Sequence, residues 1–409
     1  MNNKNKTIGV LTLLGKDRNY GGALQAYALH KKFETLGYAS ELIKFEAKKE
    51  SVKSEEINPS VIGRIRTYST DVIFKKTIKR VLRLPISISD RLRQKSYEKS
   101  KALRFEAFDN FRETYIPQTE TTYIKDNINQ VLSKYDFFVC GSDQVWNPVW
   151  YNEFHRMEFV PDSIPKFSYA ASISADSLTN EQRKVFRKFL SDYIGISVRE
   201  KQAVELLQDL SPVTPVHSLD PTLLLDKAEW DTIVSDRQVK KPYMFCYFLD
   251  CGEKLRKLAK KYAKKKGLRV VCIPYATNHY NRFDIKYSNQ MIQSASPANF
   301  ISLIKHADIV LTDSFHASVF SSIYEKEFFA FRRYGATGMS ARIETLTQMF
   351  NTHQRFCNTD DKETIAYMEQ CPPIDYSNID EYLKLKEQSV SYLKDMLEKS
   401  EQMVKNNEI

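Results

Sequence analysis

The chain of 409 residues has no run of about 18 apolar residues, so no membrane-spanning helix is predicted. Its start, Met1-Asn2-Asn3-Lys4-Asn5-Lys6, runs into a short apolar strand without a cleavage-site pattern, so no secretion signal is read and a cytoplasmic protein is expected. Cysteine is scarce: six residues, at 140, 246, 251, 272, 357 and 371, with no CxxC pair and mostly apolar neighbours. That fits reduced core thiols better than a disulfide frame or a zinc site, and no metal is expected. The loops GxGxxG and GxxxxGK[ST] are absent, which disfavours dinucleotide and P-loop nucleotide binding. Without a GxSxG elbow, HExxH or DxD, the serine hydrolase, zincin and metal-dependent sugar-nucleotide transferase classes lose ground. Internal repeats, low-complexity tracts and recognised nucleic-acid motifs are missing too, so no nucleic-acid partner is expected.

What is present is enough for two cores. The chain is long for one domain, and 42% apolar with 12% aromatic residues can fill two. Charge is unevenly placed. Between Val61 and Arg104 stand 13 lysines and arginines against Asp71, Asp90 and Glu98, a surplus equal to the net charge of +10 for the whole chain. Apolar residues from Val61 to Leu84 recur there at roughly helical spacing. Two readings stay open: segment 61–104 lies on an anionic membrane face, which would make the protein peripheral at the inner membrane face, or its apolar stripe packs on the protein.

Strand-like and helix-like segments alternate. Ile8–Leu14 reads as a strand, Ala23–Leu36 as a helix stopped by Gly37, and Ser40–Phe45 as the next strand. The pattern resumes at Phe137, continues to Pro221, and restarts at Tyr243 after a polar join. This predicts an α/β protein of two doubly wound parallel-sheet domains facing across a cleft. The expected units are residues 1–235 with a basic helical insertion at 48–115, residues 240–375, and a C-terminal helical segment 376–409.

The carboxyl ends of parallel strands lie along one edge, so loops distant in sequence can converge there. Tyr135–Pro148 is the most informative stretch: a buried strand that stops at Gly141 and releases Ser142, Asp143, Gln144, Trp146 and Asn147. Either these line a cleft, or Asp143 and Asn147 cap a helix while Trp146 plugs the core. Asn19-Tyr20-Gly21-Gly22 offers backbone N–H groups at a helix start, suited to an anion or a sugar hydroxyl, or else makes a tight turn for close packing. Arg199 ends an apolar strand, where its guanidinium can hold a phosphate or carboxylate or form a salt bridge with Glu200 or a neighbouring acid. His316 follows the strand Ile309–Thr312, as a proton-exchanging group or a structural histidine, and Asp313 either orients it or caps the following helix. Arg332, Arg333 and Arg342 flank Gly335-Ala336-Thr337-Gly338, which reads as a lid over an anion or as an exposed basic loop.

Together Asn19–Leu29, Gly141–Pro148, Ser197–Glu200, Leu219–Leu224 and Thr312–His316 resemble the polysaccharide pyruvyl transferase family. The resemblance runs in family order from about residue 8 to residue 350. It implies a fold like that of GT-B glycosyltransferases. It also implies an activity that moves pyruvate from phosphoenolpyruvate onto two sugar hydroxyls as a cyclic ketal, in the synthesis of bacterial surface polysaccharide such as capsule or exopolysaccharide. Phosphoenolpyruvate is then the donor substrate and a saccharide the acceptor, with a lipid-linked acceptor left open; no cofactor is implied. Carried over, Arg199 and His316 correspond to anion-contacting residues. Many members have Arg-Leu-His where this chain has Ser314-Phe315-His316, so one expected arginine is absent, and Arg332, Arg333 or Arg342 is the candidate replacement. On this reading Arg199 clamps the donor, with Ser314 nearby, His316 binds phosphate or acts as general acid, and Asp143 is a base for an acceptor hydroxyl. Asn19, Tyr20, Gly21, Gly22, Gln144 and Trp146 would shape the acceptor side, the indole stacking on a sugar face. A GT-B glycosyltransferase using a nucleotide sugar and a noncatalytic saccharide-binding protein are the competing readings.

Overall fold

The computed structural model describes residues 6–13, 18–46, 88–149, 152–276, 279–333, 337–358 and 363–407. The first sheet is built from β1 (Thr7–Leu11), β2 (Ala39–Leu42), β3 (Phe137–Cys140) and β4 (Lys166–Ser168), all parallel, in the order β2-β1-β3-β4. Isolated bridges from Phe167 to Gly195 and from Ala171 to Val198 extend it toward a parallel pair, β5 (Ser197–Val198) and β6 (Val216–His217). β3, Phe-Phe-Val-Cys, is buried at every position, the continuous apolar run of a strand covered on both faces.

The second sheet contains β7 (Tyr243–Tyr247), β8 (Arg269–Cys272), β9 (Gln290–Met291), β10 (Ile309–Thr312), β11 (Glu327–Phe331) and β12 (Phe356–Cys357). All neighbours are again parallel, and the order is β12-β11-β10-β7-β8-β9. In each sheet the chain first moves to one side of its starting strand and later returns to the other. The order therefore reverses between β1 and β3 in one sheet and between β7 and β10 in the other. At such reversals the loops at the carboxyl ends diverge and leave a crevice for ligands.

The halves are tied by shared packing. Tyr20, at the start of helix Tyr20–Thr35, stacks on Phe300 of helix Pro297–Lys305 at 4.6 Å between ring centroids, and its hydroxyl donates to the Ala295 carbonyl at 2.8 Å. One continuous core cluster includes residues of both sheets. Helix Asp380–Asn407 crosses back onto the first sheet's side, where Tyr392 donates to the Ser168 carbonyl at 2.9 Å and the Ser389 hydroxyl accepts from Leu219 N–H at 3.0 Å.

Residues 47–87, and with them the apolar positions expected to face a membrane, lie outside the described residues. The rest of segment 61–104 lies on helix Ile88–Tyr115, which packs on the protein. Tyr97 and Arg104 are buried, and Arg104 donates to the carbonyls of Gln293 and Pro274 at 2.6 and 2.9 Å. One side of 88–104 is therefore packed on the protein, while Arg91, Leu92, Arg93, Lys95, Lys99 and Leu103 are exposed. Among the described residues no helix is long and apolar enough to cross a membrane.

Candidate active site

The loops after β1 and β3 are clamped together by Gln25, which is fully buried. Its amide donates to Thr12 Oγ1 at 3.0 Å and the Gly22 carbonyl at 3.1 Å, and its oxygen accepts from Ser142 N–H at 3.2 Å. Thr12 donates in turn to the Ser142 carbonyl at 2.8 Å. β3 has to stop in glycine: Gly141 has φ +122, and a Cβ there would lie 2.2 Å from the Tyr169 carbonyl oxygen. The following Asp143 is half-buried and turned toward the helix start, its Oδ2 3.6 Å from where a Cβ on Gly22 would stand.

Across the crevice, β10 leads into helix Phe315–Ile323. Its His316 meets the first domain so closely that a Cβ on Gly21 would fall 2.0 Å from the imidazole Nδ1. Asn19 caps the facing helix, Oδ1 accepting from Gly21 N–H at 2.9 Å. The other imidazole nitrogen, Nε2, lies 3.6 Å from Asp220 Oδ2. That same oxygen accepts from the Arg199 guanidinium at 2.7 Å, while Asp220 Oδ1 takes the Thr222 N–H and hydroxyl at 3.0 and 2.7 Å. Burial alone would raise the Asp220 carboxyl. His316, Arg199 and Thr222 together outweigh it and hold the group well below the usual carboxylate range, so it stays ionised.

Arg199 is the centre of an acidic wall. Besides Asp220 it has Asp143 at 3.7 Å and Glu200 at 3.8 Å. Glu200 is itself held, accepting from the Ser172 hydroxyl and from Ile173 N–H. Arg342, on helix Thr337–Met349, differs in having no ion-pair or hydrogen-bond partner among the described residues; it is buried, and its Nε is enclosed and unpartnered, as are Nε and Nη2 of Arg199. Burial, with Arg199 alongside, lowers its guanidinium to about 10, which still leaves it charged at neutral pH. Both guanidinium carbons lie over the Phe315 ring, Arg199 at 5.6 Å and Arg342 at 5.4 Å from its centroid. Arg199, Asp220, Phe315 and Arg342 line a cavity of about 210 Å³, with Lys201 and His217 beside them.

A family model for polysaccharide pyruvyl transferase matches residues 19–333, well over half of the chain. The chain belongs to the polysaccharide pyruvyl transferase family. It is accordingly a transferase of polysaccharide biosynthesis. No curated protein matches it by sequence. Among solved structures it is similar to UDP-GlcNAc 2-epimerase from Methanocaldococcus jannaschii, with TM-score 0.51, 11% identity, and coverage of 95% of this chain and 99% of that one. UDP-N-acetylglucosamine 2-epimerase from Rickettsia bellii (TM-score 0.45, 10% identity, 96% of each chain) and Arabidopsis thaliana UGT89C1 (0.44, 10%, 98% and 100%) also match. The epimerase likeness at 0.51 concerns the fold: this pyruvyl transferase family member has the two-domain GT-B-like architecture.

The structure brings Asn19, Gly21, Gly22, Asp143, Arg199 and His316 into one neighbourhood, with Ser314 at the cap of the His316 helix. Gln144, next to Asp143, is half-buried, its N–H bonded to Asp143 Oδ1. Other placements correct the sequence reading. Trp146 has no exposed surface: its indole packs on Phe186, Phe189 and Tyr193 and donates to the His155 carbonyl at 3.2 Å, so it plugs the core and offers no face to a sugar. Tyr20 joins the domains instead of lining the acceptor side, because both its ring and its hydroxyl are used by the second domain. Asp313 neither orients His316 nor caps its helix; its oxygens accept from Leu249 and Asp250 N–H at 2.6 and 2.8 Å. Arg332 lies over Phe356 and bonds Asn358 and Glu344, so it is not available to the donor side. Arg333 interacts electrostatically with Asp313 and Arg342. Of the expected lid, Gly335 and Ala336 lie outside the described residues, and Thr337 and Gly338 begin a helix. Asp220 was missed as a site residue. Its signal was present, an acid just before a proline at a strand end, but an Asp-Pro turn alone says nothing about what its carboxylate meets.

Proposed function

We propose that this protein transfers pyruvate from phosphoenolpyruvate to two hydroxyls of a saccharide, forming a cyclic ketal during surface polysaccharide synthesis. The observation that supports the reading is the meeting of His316 with Gly21 and Asp220, an imidazole beside an ionised carboxylate where the domains touch, with Asp220, Arg199 and Arg342 lining the adjoining cavity in a member of this family. In the first step one sugar hydroxyl forms a bond to C2 of the enol ester while a proton is delivered to C3, giving a methyl group. In the second, the other hydroxyl forms its bond to C2 as the C2–O bond to phosphate breaks. Of the two hydroxyl protons, one is balanced by the proton at C3 and the other leaves with phosphate. His316 is assigned to handle a proton or bind phosphate, Asp143 to accept from a hydroxyl, and the arginines to hold the donor's negative charge. A lipid-linked acceptor belongs to the same reading, supported by the basic surplus at 61–104.

The test is phosphate release from phosphoenolpyruvate in the presence of a panel of saccharides, with product mass rising by one pyruvyl ketal. His316→Ala is expected to lower turnover roughly 100-fold or more. Release of a nucleotide from UDP-sugars, with no phosphate from phosphoenolpyruvate on any acceptor, would replace this reading with glycosyl transfer.

A further inference from the structure

The residue at 314 is a serine, and the guanidinium groups near it are in unequal states. Arg199 is surrounded by three carboxylates, at 2.7, 3.7 and 3.8 Å, and donates to one of them. Its positive charge is answered by these acids, although its Nε and one Nη are enclosed without hydrogen-bond partners, so what sets Arg342 apart is the lack of an ion pair. Arg342 has no carboxylate within ion-pair distance among the described residues, is 8% exposed, and has an enclosed Nε with nothing to donate to. Glu200 and Asp143 act on it only from beyond ion-pair distance, and a buried guanidinium with no direct partner is costly to keep unless something else completes it. It also lines the cavity beside Asp220 and Phe315, so an anion entering there reaches it.

Resting on the proposed function, we infer that Arg342 is the principal anchor for the donor's anionic group, a phosphate or carboxylate, and that Phe315 is the platform that aims it. The planar fork of Arg342 supplies paired N–H donors suited to a two-oxygen anion. The Phe315 ring, 5.4 Å from the guanidinium carbon, attracts that cation without neutralising its charge, whereas a carboxylate in the same place would compete with the ligand. Phe315 also sits under Arg199, so one ring fixes the spacing between an ion-paired guanidinium and one without an ion pair among the described residues. Ser314 fits this arrangement. It stands at the cap of helix Phe315–Ile323 without a side-chain cap bond, and its small side chain brings no further cation. The charge expected at 314 is provided instead from helix Thr337–Met349, later in the chain.

The experiment is calorimetric titration of phosphoenolpyruvate, and separately of inorganic phosphate, into the full-length protein and its variants, with thermal unfolding recorded for each. Arg342→Ala is expected to weaken phosphoenolpyruvate binding roughly 30-fold or more, and Arg342→Lys to recover part of it, since a point charge replaces a fork. Phe315→Leu, which keeps the volume apolar, is expected to weaken binding about 5-fold through loss of the platform. Lys184→Ala, which removes an exposed ion pair to Glu181 within helix Asn180–Leu190, is the control and leaves the affinity unchanged. Adding Ser314→Arg to the Arg342→Ala protein is expected to restore binding. Equal affinity in wild type and Arg342→Ala, or no binding of either anion by the wild type, overturns the inference. Binding that depends on Arg342 while no saccharide yields phosphate keeps the anchor and overturns pyruvyl transfer, so the two failures are distinct.

Discussion

The two sides of the cavity hold their charges differently: the first domain pairs its arginine with acids, and the second leaves its arginine without an ion pair among the described residues. The first domain sets Asp143, Glu200 and Asp220 around Arg199, with Lys201 and His217 at the cavity, while the second brings Arg342 to the cavity and His316 against Asp220. Asp143 and His316 follow β3 and β10, at the two points where strand order reverses, while Arg199 and Asp220 follow the β5–β6 pair and Arg342 lies on a helix after β11. The acidic wall is internally bonded and therefore pre-set: Asp220 holds Arg199 and Thr222, and Glu200 holds the chain at Ser172 and Ile173. Arg342 on the other side has no ion pair among the described residues, with Glu200 and Asp143 acting on it only from a distance. A carboxylate-lined wall suits neutral hydroxyl groups that must lose protons, and a cation without an ion pair suits an anionic donor, so the asymmetry divides the reactants between the domains. The wall-to-wall distance is set where Gly21 meets His316.

Gly21→Ala should break this arrangement most severely. The new methyl would stand 2.0 Å from His316 Nδ1 and 2.3 Å from Cε1, so the ring or the whole domain must move. Turnover is expected to fall by roughly 100-fold or more, as misplacements of about 1 Å do at a reacting centre. The substitution removes a helical glycine, which by itself favours folding by up to about 1 kcal/mol. Relieving the clash costs about 1–3 kcal/mol in the other direction, so the expected result is an unfolding temperature lowered by no more than a few degrees, with activity lost. Retention of more than half the wild-type rate would show that the walls need not meet.

Asp220→Asn probes the acidic wall and comes next in size. It leaves Arg199 beside a neutral partner in a fully buried place, at a cost of about 3 kcal/mol at neutral pH. The folded-state pKa of Asp220 is depressed, so its stabilisation is fully present above the unfolded value near 3.9 and is lost as pH falls below that. Denaturant titrations of wild type and variant should therefore differ clearly at neutral pH, with the gap narrowing as pH falls below the usual carboxylate range. A gap that closes above pH 5 would mean that the carboxyl is not held down by its neighbours.

How far the walls were legible beforehand depends on what each residue needed. Strand ends with Asp143, Arg199 and His316 could be found because a parallel sheet gathers its carboxyl ends wherever they fall in the chain, and alternation of apolar strands with helices announced such sheets. The strand orders were hidden, since they depend on which crossover packs on which face. Partner choice was hidden as well. Asp313 is three residues from His316 yet bonds Leu249 and Asp250, while Asp220, almost a hundred residues away, faces it. Adjacency in sequence orients a side chain only when the backbone between does not turn, and here β10 ends at Thr312 and a helix starts at Phe315. Arg342 was one of three equivalent arginines on paper. Only packing shows that Arg332 is engaged and Arg342 is not.

Trp146 gives the smallest effect on catalysis and a sharp contrast with the wall residues. Polar neighbours at a strand end made it look like a platform for a sugar ring, but the indole is turned under the loop, among Phe186, Phe189 and Tyr193. Trp146→Phe keeps an aromatic ring in that cluster while removing the bond to the His155 carbonyl and leaving a small void, so a loss of about 2 kcal/mol in unfolding free energy is expected. Saccharide KM and turnover should stay within about 2-fold of wild type at a temperature where both proteins are folded, because the cost falls on the core and not on the transition state. A rise in saccharide KM without loss of stability would instead put the indole on the acceptor side of the cleft. It would also mean that the loop after Gly141 turns outward when substrate is bound.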